Sequence, residues 1–485
     1  MKHLGLFILL AIYPSLALSG PLFELLNPTE PDRPFSGRSA TQHSSAAYYN
    51  PARISVAEAG FDFTFLALST DLAITRSERP AGYDVPASVY QARVVVDGAL
   101  RPLQTRPFPT AEIPAERRSK MITDDAHQVL ILGMSVPLIK DTLAVAVTSA
   151  MTVGVLQTQR PFYVDEREQF FQNKLYFEFL GDRLEATTVA VAMTYRPMAY
   201  LSIGIGATMI NRATSIPQIY IPDASNQENV ETNPQIEVEP ILTPHLGLVY
   251  RPLGDDEIEV STSVHFPSQS TLGGRGDLRF WDFEYPDDQT ELKQPFDLVF
   301  QDEPLRISLG FKANILRSDR ILWTLYGDGL WARWTEYTDR HGGQPTNWSS
   351  TLSGSLGSRL AVGRNALGLG VHYAPTPVPE QDGRTNYVDN HRLATQVGWS
   401  RTWTGTRGTL IVGLGLQVQR FVHRTNRKQA NAQNPIRDEF PDAVDVQTGA
   451  PILESEGLQT NNPGFPAFES EGWLYSGLLT LTVEY

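Results

Sequence analysis

The chain of 485 residues carries 54 acidic against 40 basic side chains, a formal charge of -14, no cysteine and a mean hydropathy of -0.23. That balance excludes nucleic acid as a partner, since phosphate binding needs a basic patch, and the missing thiol excludes a lipid anchor or a disulfide framework. After the first 20 residues no stretch holds the roughly 20 consecutive apolar residues of a spanning helix, which excludes a helical membrane protein; 37 Gly, 18 Tyr and 22 Phe among repeated alternating runs favour one large all-β body over several soluble domains.

Met1-Lys2-His3 is a short basic start, Leu4 to Leu18 an apolar core, and Ala17-Leu18-Ser19 offers the small residues a signal peptidase reads. Residues 1–19 are therefore predicted to be a signal peptide, cleaved after Ser19 or Gly20. The next segment, 20–58, is rich in small residues and carries Phe23, Phe35, Tyr48 and Tyr49. A free tail would be polar and poor in aromatics, so a plug packed in a lumen is a better reading than a disordered leader. Phe23 could sit in that lumen as a ligand mimic.

Residues 59–485 read as a transmembrane antiparallel β-barrel. Leu143, Val145 and Val147 alternate with Ala144, Ala146 and Thr148; Val189, Val191 and Met193 with Ala190, Ala192 and Thr194; Leu410, Val412, Leu414 and Leu416 with Gly413, Gly415 and Gln417. One face suits lipid and the other a polar interior. About fourteen such runs occur, an even number as in bacterial barrels, predicted at 59–78, 127–138, 141–158, 183–197, 199–214, 236–252, 255–270, 303–316, 319–337, 348–363, 364–375, 389–403, 406–422 and 470–485. Tight turns follow the even-numbered runs and long loops the odd-numbered ones, notably 79–126, 159–182, 215–235, 271–302 and 423–469. Short periplasmic turns alternating with long outer loops imply a multi-pass protein of the bacterial outer membrane with both termini in the periplasm. The last run places Leu479, Leu481, Val483 and Tyr485 on one face, as a closing seam would.

The Ser/Ala-rich approach to Asn50-Pro51-Ala52, the Trp331-Ala332-Arg333-Trp334-Thr335-Glu336-Tyr337 strand end, and Gly247 to Pro252 followed by a strand ending His265-Phe266-Pro267-Ser268 together resemble the FadL/TodX-type outer-membrane transporters. The resemblance implies uptake of long-chain fatty acids or other hydrophobic small molecules, with Asn50, Pro51 and Ala52 in a hatch that moves to release ligand through a side opening in the wall. It implies a fatty acid-like ligand, outer-membrane lipid, lipopolysaccharide and the barrel assembly machinery as partners, a monomer, and no cofactor. Aromatics in two outer loops, Phe162, Tyr163, Phe170 and Phe171 in one and Phe280, Trp281 and Phe283 in another, are candidates for ligand capture; packing of the loops on themselves or an interfacial girdle is the alternative. Arg306, Lys312 and Arg359 point inward by strand phase and could take a carboxylate, or pair with luminal acids such as Glu259 and Asp328.

The alternative function is a general or structural porin, or a surface adhesin or receptor using the long loops. Catalysis is not indicated: Ser261, Ser263 and His265 share an inward face, but hydrolysis needs hydroxyl, base and orienting group in contact. Asp124, Asp125 and His127 read as a solvated loop end rather than a metal site, and no phosphate loop or zinc spacing is present.

Overall fold

A computed structural model describes residues 21–28, 30–57, 59–77, 126–153, 175–180, 187–211, 241–254, 257–281, 289–339, 343–381, 387–406, 408–428 and 466–485, with shorter pieces at 93–96, 99–102, 120–123, 219–222, 229–238 and 464. Fourteen strands form the wall: β1 (Gly60–Arg76), β2 (Ala126–Ile139), β3 (Leu143–Thr152), β4 (Thr187–Met198), β5 (Leu201–Asn211), β6 (Ile241–Tyr250), β7 (Ile258–His265), β8 (Arg306–Arg317), β9 (Ile321–Ala332), β10 (Thr351–Val362), β11 (Asn365–Ala374), β12 (Arg392–Gly405), β13 (Gly408–Arg427) and β14 (Ala467–Glu484). Each pairs with its neighbours in the chain, and β14 pairs with β1 from Gly60 opposite Glu484 to Arg76 opposite Phe468, so the wall closes without an edge.

The closure follows from the sequence pattern. Alternation sends Leu352 and Leu416, each 67 % exposed, to the outside, while Thr188, Ser202 and Gln396 are fully buried inside. A water-soluble protein would not expose such a belt all round; a bilayer accepts it. The predicted turns are present: Gly363 adopts a left-handed φ of 59° in the two-residue link between β10 and β11, and Asp141 (φ 58°) does the same between β2 and β3.

One predicted run and the two long loops beside it depart from expectation. The run predicted at 255–270 does not stay in the wall: β7 stops at His265, and Ser268–Trp281 instead joins Gln289–Glu303, Asn229–Val238 and Ile219–Pro222 in a separate four-stranded sheet. Parts of the predicted loops 215–235 and 271–302 are thus strands. The physical reason lies at Pro267, which cannot donate to the ladder. His265 faces Arg306 and Ser268 faces Glu303, which puts Pro267 opposite Pro304 with the register unchanged. The β7–β8 hairpin therefore continues outward past the wall and is only interrupted there.

Inside the barrel lies the N-terminal segment. Pro21–Leu26 is a short helix with Pro at its first position and Glu24 in its first turn. Asn27, at φ 45°, ends it in the left-handed conformation that Asn tolerates, and Pro28 prevents continuation. A helical turn at Ala46–Tyr49 and a 3-10 helix at Pro51–Val56 follow, with Tyr48, Tyr49, Asn50, Ala52 and Arg53 buried.

Leu479 stands on the lipid face of the seam strand, opposite Phe65 on one side and Leu414 on the other. Leu479→Lys is expected to destabilise the barrel by about 2–4 kcal/mol near mid-membrane, seen as a lower urea midpoint of the heat-modifiable band on gels.

Candidate functional site

The Asn50-Pro51-Ala52 turn sits in a seat cut into the wall. Gly204 on β5 and Gly247 on β6 are paired directly, and a Cβ on Gly204 would come within 2.3 Å of the Ala52 amide nitrogen, one on Gly247 within 2.1 Å of Asn50 Oδ1. Asn50 uses its whole amide: Oδ1 accepts from Ala52 N at 3.1 Å and Nδ2 donates to the Thr262 carbonyl at 3.3 Å. Pro51 starts the 3-10 helix, where its missing N–H costs nothing. A second pair of facing glycines, Gly368 and Gly398, receives the Pro31-Asp32 backbone in the same way.

Charge fixes what shape positions. Arg53, fully buried, donates from Nη1 to Glu259 at 2.7 Å and from Nε to the Thr41 carbonyl at 2.9 Å. Lys312 reaches the same carboxylate at 3.0 Å and Arg251 approaches it at 3.6 Å, so one wall acid serves three cations. Arg359 binds Asp32 at 2.7 Å, Arg38 binds Glu24 at 2.6 Å, and Arg306 pairs with Glu303. The inward cations predicted to meet a carboxylate are therefore each already paired with one from the protein, Glu259 on the wall, Glu303 at the end of an outer-sheet strand and Asp32 on the N-terminal segment; Asp328 has none of the three as its ion-pair partner.

His245 and His265 are paired across β6 and β7 with rings stacked at 4.8 Å. Their Nε2 atoms lie 2.6 Å from the Ala47 carbonyl and 3.4 Å from the Tyr49 carbonyl. Ser261 donates to the Arg38 carbonyl, and Ser263 bonds Ser308. These inward groups are engaged in holding the segment and the wall.

The apolar part is higher in the lumen. Leu22, Phe23, Leu25 and Leu26 are buried in one cluster with Leu66, Leu68, Leu72 and Ile74 of β1, Leu474 and Leu478 of β14, and Phe421 of β13. Leu175, Phe177, Leu180 and Val388 from outer connections complete it. Gln417 and Gln419 donate to the carbonyls of Leu26 and Leu25 at the helix end, which would otherwise be buried unpaired. Phe23 stacks on Tyr48 at 4.7 Å and meets Tyr49 edge-on. Nothing in a general reading of lipid-out alternation points to this chamber, but the sequence held a signal: on β1 the inward positions Leu66, Leu68, Leu72 and Ile74 are the large apolar ones, while Ala67, Ser69 and Asp71 face out.

Among the outer loops, Phe162, Tyr163, Phe170, Phe171 and Phe283 lie outside the described residues, and Phe280 and Trp281 fall on the strand Ser268–Trp281 of the outer sheet. The described aromatic cluster is a different one. Tyr337 stacks on Trp348 at 4.0 Å, with Phe179, Trp334 and Tyr387 around them. The Tyr337 hydroxyl donates to Glu178 and that of Tyr387 to Asp339 at 2.6 Å.

A closed fourteen-stranded wall, an apolar outer belt and an N-terminal segment packed against the inner face define a transmembrane β-barrel fold of the outer-membrane kind. No family model matches the sequence, and no curated protein matches it in sequence. In structure the chain is similar to a Pseudomonas aeruginosa FadL homologue, at 12 % identity with a TM-score of 0.52 over 93 % of this chain and 95 % of that one. It also aligns with the Pseudomonas putida toluene transporter TodX, at 10 % identity and a TM-score of 0.46 over 94 % and 97 % of the two chains.

Glu259→Gln takes away the charge that Arg53, Lys312 and Arg251 share. Breaking a buried ion pair from one side costs about 3–5 kcal/mol, and the N-terminal segment should consequently become protease-sensitive in a barrel that still migrates as folded. A pH dependence follows from His43, which lies 3.3 Å from Asp62 and 3.7 Å from Glu30. Burial opposes its charge, but the two carboxylates prevail and raise it from 6.5 to about 9. Because the folded value is the higher one, its contribution is complete below about pH 6.5 and disappears as pH rises through about 9. Amide protection over residues 30–49, corrected for intrinsic exchange, is expected to fall across that window in the native protein and to show no such step in His43→Gln.

Proposed function

We propose that the chain is a gated outer-membrane channel for the uptake of hydrophobic small molecules, long-chain fatty acids among them, in which residues 20–58 act as the hatch. The observation that carries this reading is the helix Pro21–Leu26 seated in the apolar chamber. Four large apolar side chains contribute about 6–12 kcal/mol on burial, and ordering six residues costs about 1–2 kcal/mol each. Docking of the helix is near balance. A ligand that binds the chamber at micromolar affinity, worth about 8 kcal/mol, can therefore displace it, provided that it prefers the chamber without the helix.

The turn at Asn50-Pro51-Ala52 then serves as the pivot, held more firmly than the helix by the glycine seat and by Arg53 on Glu259. A carboxylate head group would have to exchange with Glu303, Glu259 or Asp32 at Arg306, Lys312 or Arg359, whereas an uncharged hydrocarbon needs no exchange. For exit, the cavity between the N-terminal segment and the periplasmic turns is lined by charged groups of both signs, Arg33, Lys140, Arg196, Arg359, Asp141 and Glu484, with apolar residues such as Ile54 and Leu143 between them. An apolar solute meets a mostly polar lining there, which favours release sideways through the wall into hydrocarbon. The partly exposed edge of the aromatic cluster around Trp348, formed by Phe179, Trp334 and Tyr387, is the proposed first point of capture.

Removing residues 21–53 is expected to raise single-channel conductance severalfold, and Asn50→Ala or Pro51→Ala to reduce uptake of both oleate and a neutral hydrocarbon by a folded barrel. Unchanged conductance on deletion identifies an already open porin instead.

A further inference from the structure

We propose that the outer end of β8–β12 carries, on its lipid-facing side, a binding recess for an acyl chain of an outer-leaflet lipid, in a bacterial outer membrane a chain of lipid A. The starting point is two glycines that the fold does not need. Wall glycines beside the N-terminal segment are explained by contact: at Gly310 an added Cβ would come within 2.7 Å of Ser261 Oγ, and at Gly204 within 2.3 Å of Ala52 N. Gly329 and Gly354 are different. A Cβ at Gly329 would meet nothing closer than Ser353 O at 3.9 Å and at Gly354 nothing closer than Asp328 O at 3.5 Å, both ordinary contact. Neither has a positive φ. A Cβ would fit at both positions, as it would at Gly477 of β14, and glycine within a strand weakens it; what sets Gly329 and Gly354 apart is that they face each other and leave a continuous open floor.

That space is on the membrane side. Gly329 faces Gly354 directly across β9 and β10, and the same row continues to Leu309 on β8 and to Tyr373 and Leu393 on β11 and β12. Together with Phe311 and Leu356 these residues bound a recess of about 670 Å³ whose lining is almost wholly apolar. Leu309 and Leu356, 65 % and 59 % exposed, project past the glycine floor. Such a rim keeps the convex wall of a second barrel off the floor, while a single hydrocarbon chain reaches it.

Depth selects the leaflet. β9 rises from the periplasmic turn at 318–320, and Gly329 stands three residues before its outer end at Ala332; Gly354 is the fourth residue of β10 as that strand re-enters. The recess therefore lies in the outer leaflet. Above it, where a phosphorylated head group would rest, are Arg333, immediately past β9 and paired with the exposed Glu336 at 2.6 Å, from which a phosphate would have to draw it, and the exposed His391, whose ring lies over Tyr373 at 6.2 Å and whose Nδ1 accepts from the Thr376 amide. The inference concerns the outer wall and does not rest on the transport reading.

The test is native mass spectrometry of the full chain extracted from outer membranes in mild detergent. The unmodified protein should retain lipid A, and Gly329→Leu/Gly354→Leu should lower the retained fraction by about tenfold, the worth of roughly two buried methylenes. Ala67→Leu, which adds a large apolar side chain to the lipid face of β1 away from the recess, should leave retention unchanged. If the double variant does not fold, Gly329→Ala and Gly354→Ala each should give a smaller loss in a barrel of unaltered heat-modifiability. Equal retention in all folded variants, no lipid A on the unmodified protein, or a phospholipid or a second copy of the chain in its place would overturn the proposal.

Discussion

Every peptide group in the hydrocarbon zone must be hydrogen-bonded within the protein, because lipid offers no partner. A sheet meets that demand only by closing on itself, and β14 against β1 is where the closure falls. Closing fourteen strands produces a lumen too wide for wall side chains alone to fill. The chain answers with its own N-terminal segment, so the need to satisfy backbone groups in the membrane sets the need for something inside the barrel. Small residues on the inner face, Ala190, Ser202 and Gly204 among them, make room for it.

The segment is held in two physically different ways. Around residues 30–57 the contacts are polar and geometrically specific: amide to carbonyl, guanidinium to carboxylate, proline and asparagine against bare glycine backbone. Around residues 21–26 they are apolar and non-directional. Polar contacts of the first kind depend on distance to a few tenths of an ångström, whereas hydrophobic burial tolerates any occupant of similar shape. The part of the lumen that can accept a foreign molecule is thus the part now filled by Leu22, Phe23, Leu25 and Leu26.

Much of this architecture is written locally. The fourteen wall strands are legible because each has its own period-two pattern, and the short turns because Gly363 or Asp141 marks them one residue at a time. The outer sheet was not legible, since Ser268 to Trp281 contains Gly273-Gly274-Arg275-Gly276-Asp277, which reads as loop until a partner strand is known. Pairings such as Arg53 with Glu259 join residues 206 apart; strand phase shows that Glu259 points inward but not which cation will meet it. Strand phase points Arg306, Lys312 and Arg359 inward, but the acids they meet, Glu303, Glu259 and Asp32, come from three separate segments, and of these phase marks only Glu259. The apolar chamber was half visible, in the inverted face of β1, and its other half came from loop residues that no periodicity marks.

The β7–β8 hairpin crosses a boundary that other strands respect. On its outer reach it pairs with Asn229–Val238, and on its inner reach the same two strands carry His265, Glu259 and Lys312 against the N-terminal segment. Pro267 and Pro304, opposite each other, remove ladder hydrogen bonds without shifting the register. Mechanically this has the form of a lever with its fulcrum at the membrane surface: the arm outside the cell and the arm inside the pore are one pair of strands, and a sideways load on the first would reach the second as a torque on the groups that hold Asn50 and Arg53.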